Sequence, residues 1–443
     1  MVDSGSSGRI ARSRLLLFAS GDFGFNLYWQ SAMLYLLFYY TEALHVPITT
    51  AAAVYAAASL WDGIANFAVG VLIERHGMPE RMRHALVIGG IPLGASFALA
   101  YAPLALSEGW LIAWICLGQF LFRAAYALVN VPYLAMSARV SLDSDDRAFV
   151  AGARMLFGTL AAVVVALGTV PIGRMLAGVG GAPAYALSAI CFATIASVLI
   201  VAVGAMHRDT SIPPSRERTG TVRAVALAMR NRAFLAVSAA MMAMITAVTV
   251  LDKSILYYFK YALSNASAGQ LTLGWMMAVS AVAIPAWMAI SRYIGVRSVW
   301  FAASSSCVVC LAAFIGLGVY GVRTSQTFLV AVQIGIVGLH FAFWAILPDT
   351  VEYGQEKSGF RGEAVIYGLS ALFQRLAIGL GTLLVGVTLG QAGGSGLPGG
   401  STSYRFALTI IPLAFFAFAA LLMLANPLRK GRHQAIVESI SEG

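Results

Sequence analysis

The sequence predicts an all-α membrane protein: twelve transmembrane helices arranged as two six-helix halves. Three observations carry this. Of the 443 residues, 59% are hydrophobic and only 11% charged, where a soluble domain carries about 25% charged residues. The apolar residues gather into stretches long enough to cross a bilayer, at about 20 residues each. The basic residues fall on alternate connections between those stretches, as the positive-inside bias of membrane helices requires.

The twelve stretches lie near 14–41, 50–73, 85–105, 109–137, 149–173, 182–206, 233–259, 268–291, 298–318, 327–347, 364–391 and 404–426. Six precede and six follow the longest polar connection, 207–232, which holds Pro213, Pro214 and six arginines. That segment is expected to be a cytoplasmic linker between an N-terminal half, 1–206, and a C-terminal half, 233–443. The Gly-rich "GQAGGSGLPGGSTS" (390–403) reads as an external loop. Short connections elsewhere leave almost no chain for a soluble catalytic domain.

With the N-terminus inside, every cytoplasmic connection carries at least two bases, from Arg9, Arg12 and Arg14 through to Arg429, Lys430 and Arg432. The outer ends hold only Arg174, Lys260, Arg323 and Arg405. The net charge of +10 therefore reports topology, with both termini cytoplasmic, and nucleic acid is not an expected partner. The polar N-terminal segment precedes an apolar run far longer than a signal-peptide core, so no cleavage is expected. The four cysteines, Cys116, Cys191, Cys307 and Cys310, lie in apolar spans and read as packing thiols rather than metal ligands.

Ionisable groups inside the spans are the functional candidates, because each costs about 2.5–3.5 kcal/mol at a helix centre. In the first span Asp22, Asn26, Trp29 and Gln30 stand at i, i+4, i+7 and i+8 and share one face. An acid, two amides and an indole suit a polyhydroxylated ligand: the polar groups meet hydroxyls and the ring covers a sugar face. Interhelical polar packing is the plainer alternative. In the second span Asp62 has no base within 50–73 and is aligned with Asn66. Such a carboxylate is a candidate cation or proton site, or the structural partner of an arginine on another helix. Arg123 and Asn130 in the fourth span, Arg154 in the fifth and Arg375 in the eleventh either balance the acids or receive an anionic substrate. Adjacent Asp252 and Lys253 read as snorkelling or gate residues near an outer end, and His340 as a structural histidine. No nucleophile elbow, phosphate loop or zinc-spaced pair occurs.

The connection after the second span, with Gly70, Glu74, Arg75, Gly77, Arg81 and Arg83, resembles the loop 2–3 signature of the major facilitator superfamily. "LLFYYTEAL", "WDGIANF", "NVPYLAMSARVSLDSDDRAFVAGARMLFGTL" and "LPDTVEYGQEKSGFRGEAVIYGLSALFQR" resemble motifs of its glycoside–pentoside–hexuronide:cation symporters. The resemblance runs across the chain. It implies sugar contacts at Asp22 and Arg154, a cation-site carboxylate at Asp62, and a supporting cation at Arg375. It further implies a cytoplasmic gate made by Glu74, Arg75, Asp349, Glu352, Arg361 and Glu363. Two acids of the family pattern are Asn66 and Asn130 here, which disfavours sodium, since a hard cation wants several anionic oxygens. Arg123 is an added positive charge that raises the case for a hexuronide.

The expectation is a secondary active transporter for a sugar, glycoside or hexuronide. It works by alternating access, coupled to a proton through Asp62 with Asn66, and sodium is the second candidate. Substrate-binding candidates are Asp22, Asn26, Trp29, Gln30, Arg123, Asn130, Arg154 and Arg375. No enzyme activity, cofactor or metal is expected. The expected partners are a small-molecule substrate and the lipid bilayer, with the chain a monomer in a bacterial inner membrane. A lysolipid or drug carrier of the same superfamily, and a membrane enzyme or sensor, are the competing readings.

Overall fold

The structure, a computed structural model, describes residues 12–76, 79–137, 144–206, 221–358, 363–394 and 400–428. All regular structure among them is helical. The N-terminal half contains α1 (Arg12–Ser31), a π-helical turn (Ala32–Leu36), α2 (Leu37–Glu42), α3 (Ile48–His76) and α4 (Pro79–Ala100). It continues with α5 (Glu108–Ser137), α6 (Ser144–Ala177) and α7 (Ala182–Met206). A short helix, α8 (Thr221–Ala228), lies in the segment read as the linker. The C-terminal half contains α9 (Arg232–Tyr257), a second π turn (Tyr258–Ala262), α10 (Ala266–Ile294), α11 (Val296–Gly316), α12 (Val322–Ser358), α13 (Glu363–Gly394) and α14 (Gly400–Leu424).

Among the described residues, eleven helices are long and apolar enough to cross a membrane. The twelfth crossing is α1–α2. Its polar stripe lowers its hydropathy and the π turn divides it, but the residues flanking that turn, Ser31 and Leu37, keep right-handed helical angles. The helix therefore runs on without a break, packed against α6 and α7. Both π turns sit in the first crossing of their half, near the end away from the linker. A π turn widens a helix locally and is common at functional positions.

Without a hydrophobic drive between helices in lipid, close packing of small residues and interhelical hydrogen bonds hold the bundle. A side chain at Gly381 of α13 would put Cβ 2.8 Å from Thr249 Cβ of α9, so only glycine lets these two helices meet. Tyrosine hydroxyls donate across helices to backbone carbonyls: Tyr28 to Ala193 (3.0 Å), Tyr39 to Tyr101 (2.8 Å) and Tyr101 to Ser31 (2.8 Å). At the linker end, Arg83 at the start of α4 donates to Gly204 O (3.0 Å) at the end of α7. Arg297 at the start of α11 donates to Asn426 O (2.7 Å) and Leu428 O (2.8 Å) just after α14. A guanidinium thus answers the last carbonyls of the final crossing in each half.

The halves meet mainly along α3 with α13 and α6 with α10. Gly379 lies against the Ala56 carbonyl, and Gly63 against Leu372 and Arg375. The end of the bundle opposite the linker is tied by a polar cluster between the halves. Lys260 and Glu42 form an ion pair, Tyr261 donates to Glu42 Oε2 at 2.6 Å, and Thr41 and Tyr257 share a 2.7 Å hydrogen bond.

Candidate functional site

Among the described residues, two ion-pair centres lie inside the bundle. The first joins α1 and α6. Asp22 receives one edge of the Arg154 guanidinium on both its oxygens: Nε bonds Oδ2, and Nη2 reaches Oδ1 at 3.4 Å. Tyr133 of α5 donates to Asp22 Oδ2 at 3.1 Å and to Phe18 O at 2.9 Å. Its ring also lies beneath the guanidinium, 5.2 Å away. The pair is only partly covered, with Arg154 and Asp22 side chains 21% and 14% exposed. A forked arginine–carboxylate contact fixes both groups in direction as well as in distance.

The second centre joins both halves around Asp62, whose side chain is 1% exposed. Arg123 Nη1 of α5 and Arg375 Nε of α13 both bond Asp62 Oδ2, at 3.3 and 2.8 Å. Asn66, one turn along α3, gives its amide NH2 to Asp62 Oδ1 at 2.8 Å. Arg123 is buried, held by Gln119 Oε1 at 3.2 Å and set 4.9 Å over the Tyr55 ring. Arg375 is 19% exposed and stacks 3.9 Å over Trp29. Trp29 in turn packs against Tyr126, ring centroids 5.9 Å apart. A cation over an indole face gains about 0.5–2 kcal/mol, so Trp29 orients the arginine that bridges the halves.

Above this centre Lys253 reaches from α9 into the N-terminal half. It donates to Met33 O (3.1 Å) in the first π turn and lies 3.8 Å over the Tyr55 ring. The snorkelling expected of it does not occur: Lys253 is 4% exposed, because a backbone carbonyl and a ring face satisfy it inside the protein. Asn26 and Gln30 share the open face of α1 with Trp29, and Asn130 is half-buried on α5. Asn26 turns its amide back to the Asp22 carbonyl, 2.9 Å. His340 bonds the Ile336 carbonyl at 3.0 Å, as a structural histidine does.

The gate candidates are only partly in view. Glu74 and Arg75 end α3 and Glu363 starts α13, but their side chains lie outside the described residues, as does Arg361 entirely. Asp349 and Glu352 stand three apart on α12, on one face. Among the described residues no cluster of His, Cys, Asp and Glu could hold a metal ion.

Residues 17–430 match the family model described as MFS/sugar transport protein. The chain belongs to that family. It is a transporter family and not an enzyme family, and its distant relatives are symporters of the glycoside–pentoside–hexuronide type. An isoprimeverose transporter of Lactiplantibacillus pentosus is 22% identical over 85% of this chain and 79% of its own. An Escherichia coli protein provisionally named a sulfoquinovose importer is 23% identical over 96% of this chain and 93% of its own. The crystal structure of the nucleoside transporter NupG superposes with a TM-score of 0.65 at 15% identity, covering 96% of this chain and 99% of that one. That likeness shows the fold of this MFS/sugar transport protein.

Several residues of this family member's two centres, Tyr133, Gln119 and Tyr55, were not singled out from sequence, nor were Glu42, Tyr257 and Tyr261 of the cluster opposite the linker. Tyrosines and a glutamine in apolar spans look like packing. Glu42 follows "LLFYYT" at a helix end, where an acid is ordinary. Only the three-dimensional partners give these residues a role.

Proposed function

We propose that this protein carries a sugar-class solute with an acidic group across the bacterial inner membrane by alternating access, in the direction of uptake. Solute binds between the halves, against Asp22 and Arg154 on one side and Trp29 and Arg375 on the other. The observation that carries the reading is the charge count at the second centre. One carboxylate, Asp62, faces two guanidinium groups, and the partly exposed one, Arg375, lies 3.9 Å over an indole ring. A sugar ring beside the Trp29–Arg375 stack would bring its carboxylate or sulfonate to Arg375, which bonds such groups in a planar, forked manner. Asp22, fixed by Arg154 and Tyr133, is placed to accept from sugar hydroxyls, with Asn26, Gln30 and Asn130 as further polar contacts. Arg123, first a candidate for the substrate, serves Asp62 instead.

This arrangement is closed at its outer end. The halves are tied by Glu42, Lys260, Tyr261, Thr41 and Tyr257 at the end that the basic connections assign to the outside, with both termini cytoplasmic. Proton coupling at a lone Asp62 finds no support in a carboxylate already held by two guanidinium groups. The test is solid-supported-membrane recording on proteoliposomes given pools of hexuronates and sulfonated sugars, and separately pools of neutral glycosides. Currents from the acidic pool that are lost in Arg375→Gln are expected. Currents from neutral glycosides alone, or from lysolipids alone, overturn the assignment of the substrate class.

A further inference from the structure

We infer that Arg123 is a built-in counter-cation: it fills, with a covalently tethered guanidinium, the place at Asp62 that an external coupling ion would take, so that the Asp62 centre binds neither sodium nor a proton. The inference rests on the transport reading above and concerns its energetics, which nothing about family membership decides.

The argument starts from the oxygens. An alkali cation needs several oxygen ligands converging on it, and a single carboxylate is a poor set unless neighbours add theirs. Here Asp62 Oδ2 already accepts from Arg123 and Arg375, and Oδ1 accepts from Asn66. Asn66 turns its NH2 toward Asp62, at 2.7 Å to the backbone carbonyl as well as 2.8 Å to Oδ1, so donors and not oxygens face the would-be ion. Gln119, the next polar side chain, accepts with its Oε1 from Arg123 Nε. An arriving cation would meet two resident positive charges within contact distance of the same carboxylate.

Arg123 is also not a group that leaves on demand. It is 2% exposed, clamped by Gln119 and stacked on Tyr55, and an arginine does not lose its proton in a protein. Arg375 is the more accessible member, 19% exposed and set 3.9 Å over the Trp29 ring. When an anionic solute draws Arg375 away, the Asp62–Arg123 pair stays neutral by itself. No ion has to enter to keep the buried charge balanced, so solute binding and ion binding are uncoupled at this centre. The charged groups of the other elements packed here have their own places, although Asp252 Oδ1 is buried without a hydrogen-bond partner. Lys253 of α9 is held by Met33 O and Tyr55, Asp252 beside it points about 100° away along the helix, and Asp22 of α1 is taken by Arg154 and Tyr133.

The test needs no solute, which separates its failure from failure of the acidic-sugar reading. Proteoliposomes of the full chain on a solid-supported membrane receive a step from choline chloride to sodium chloride, and separately a step from pH 8 to pH 6. Wild type and Asp62→Asn are expected to give equal charge displacement in both steps. In Arg123→Gln/Arg375→Gln, which leaves Asp62 without a cation, the pH step is expected to give a new displacement that the further change Asp62→Asn removes. A saturable wild-type displacement larger than that of Asp62→Asn overturns the inference. Should the variants fail to fold, tryptophan fluorescence of the purified wild type decides. Trp29 lies against Arg375, so a saturable change with sodium but not choline would sink the idea, and its absence at all concentrations supports it.

Discussion

Removing the charge of Glu42 is predicted to open the outer end of the bundle. Glu42 ends α2 and is the acceptor on which Lys260 and Tyr261 of the other half converge. The Lys260 side chain is 36% exposed, so the ion pair falls in the range for surface pairs, about 0.2–1 kcal/mol. The Tyr261 hydroxyl bond to a carboxylate would be worth about 1.5–3 kcal/mol when dry, and less here because Tyr261 is 45% exposed. Glu42→Gln keeps the shape and one acceptor oxygen, so the net loss is about 1 kcal/mol. Since 1.4 kcal/mol is tenfold, the ratio of open to closed outer end should rise about fivefold. The Thr41–Tyr257 hydrogen bond and the Phe38–Tyr257 ring contact, centroids 5.1 Å apart, remain and prevent complete opening. The assay is double electron–electron resonance between spin labels at Leu104→Cys and Tyr320→Cys, which are 40% and 72% exposed at the outer end, one in each half. The native cysteines are replaced beforehand. The long-distance population should grow in Glu42→Gln and return in Glu42→Asp only in part. An unchanged distance distribution in folded Glu42→Gln would refute the claim that this cluster holds the halves together.

Arg154→Lys should weaken solute binding about ten- to hundredfold, because a single ammonium cannot reproduce the two-point contact with Asp22. A competition uptake series on protein that elutes as wild type checks this. Trp29→Phe should lower apparent affinity several-fold and Trp29→Ala more, as the cation–π contribution of about 0.5–2 kcal/mol falls away from Arg375; solute titration reads both. Gly381→Val forces a side chain into Thr249 of α9, where Cβ alone would sit at 2.8 Å. The cost expected is about 1–3 kcal/mol, seen as a lowered melting midpoint of detergent-purified protein. Tyr133→Phe removes the phenol that reaches both Asp22 and Phe18 but keeps the ring under Arg154. Its affinity loss should therefore be smaller than that of Arg154→Lys.

The number and order of crossings were legible in the sequence because hydropathy is read directly by the bilayer; the span read as 182–206 coincides with α7. Helix ends were less legible. The tenth crossing was read to 347, but α12 continues through Pro348 and the polar run to Ser358. A helix that leaves the hydrocarbon region needs no apolar sequence to continue. The π turns at Ala32–Leu36 and Tyr258–Ala262 left no trace in composition, since one widened turn changes register and not residue type.

At the site, intramembrane charges announced themselves by their cost, and Asp22, Asp62, Arg123, Arg154 and Arg375 were all found that way. Their pairing was not legible. Asp62 finds one partner 61 residues on and another on α13 in the other half. Nothing local to "SLWDGIANF" encodes either. The same limit hid Tyr133 and Glu42, ordinary residues until a partner from another helix arrives.

The most direct test of the account is counterflow of labelled D-glucuronate in proteoliposomes of wild type, Arg375→Gln and Asp22→Asn, with D-glucose as the neutral control. The account predicts exchange by wild type alone, with glucose neither carried nor competing. Glucose exchange matched by all three proteins, or glucuronate exchange that survives in Arg375→Gln, would contradict it.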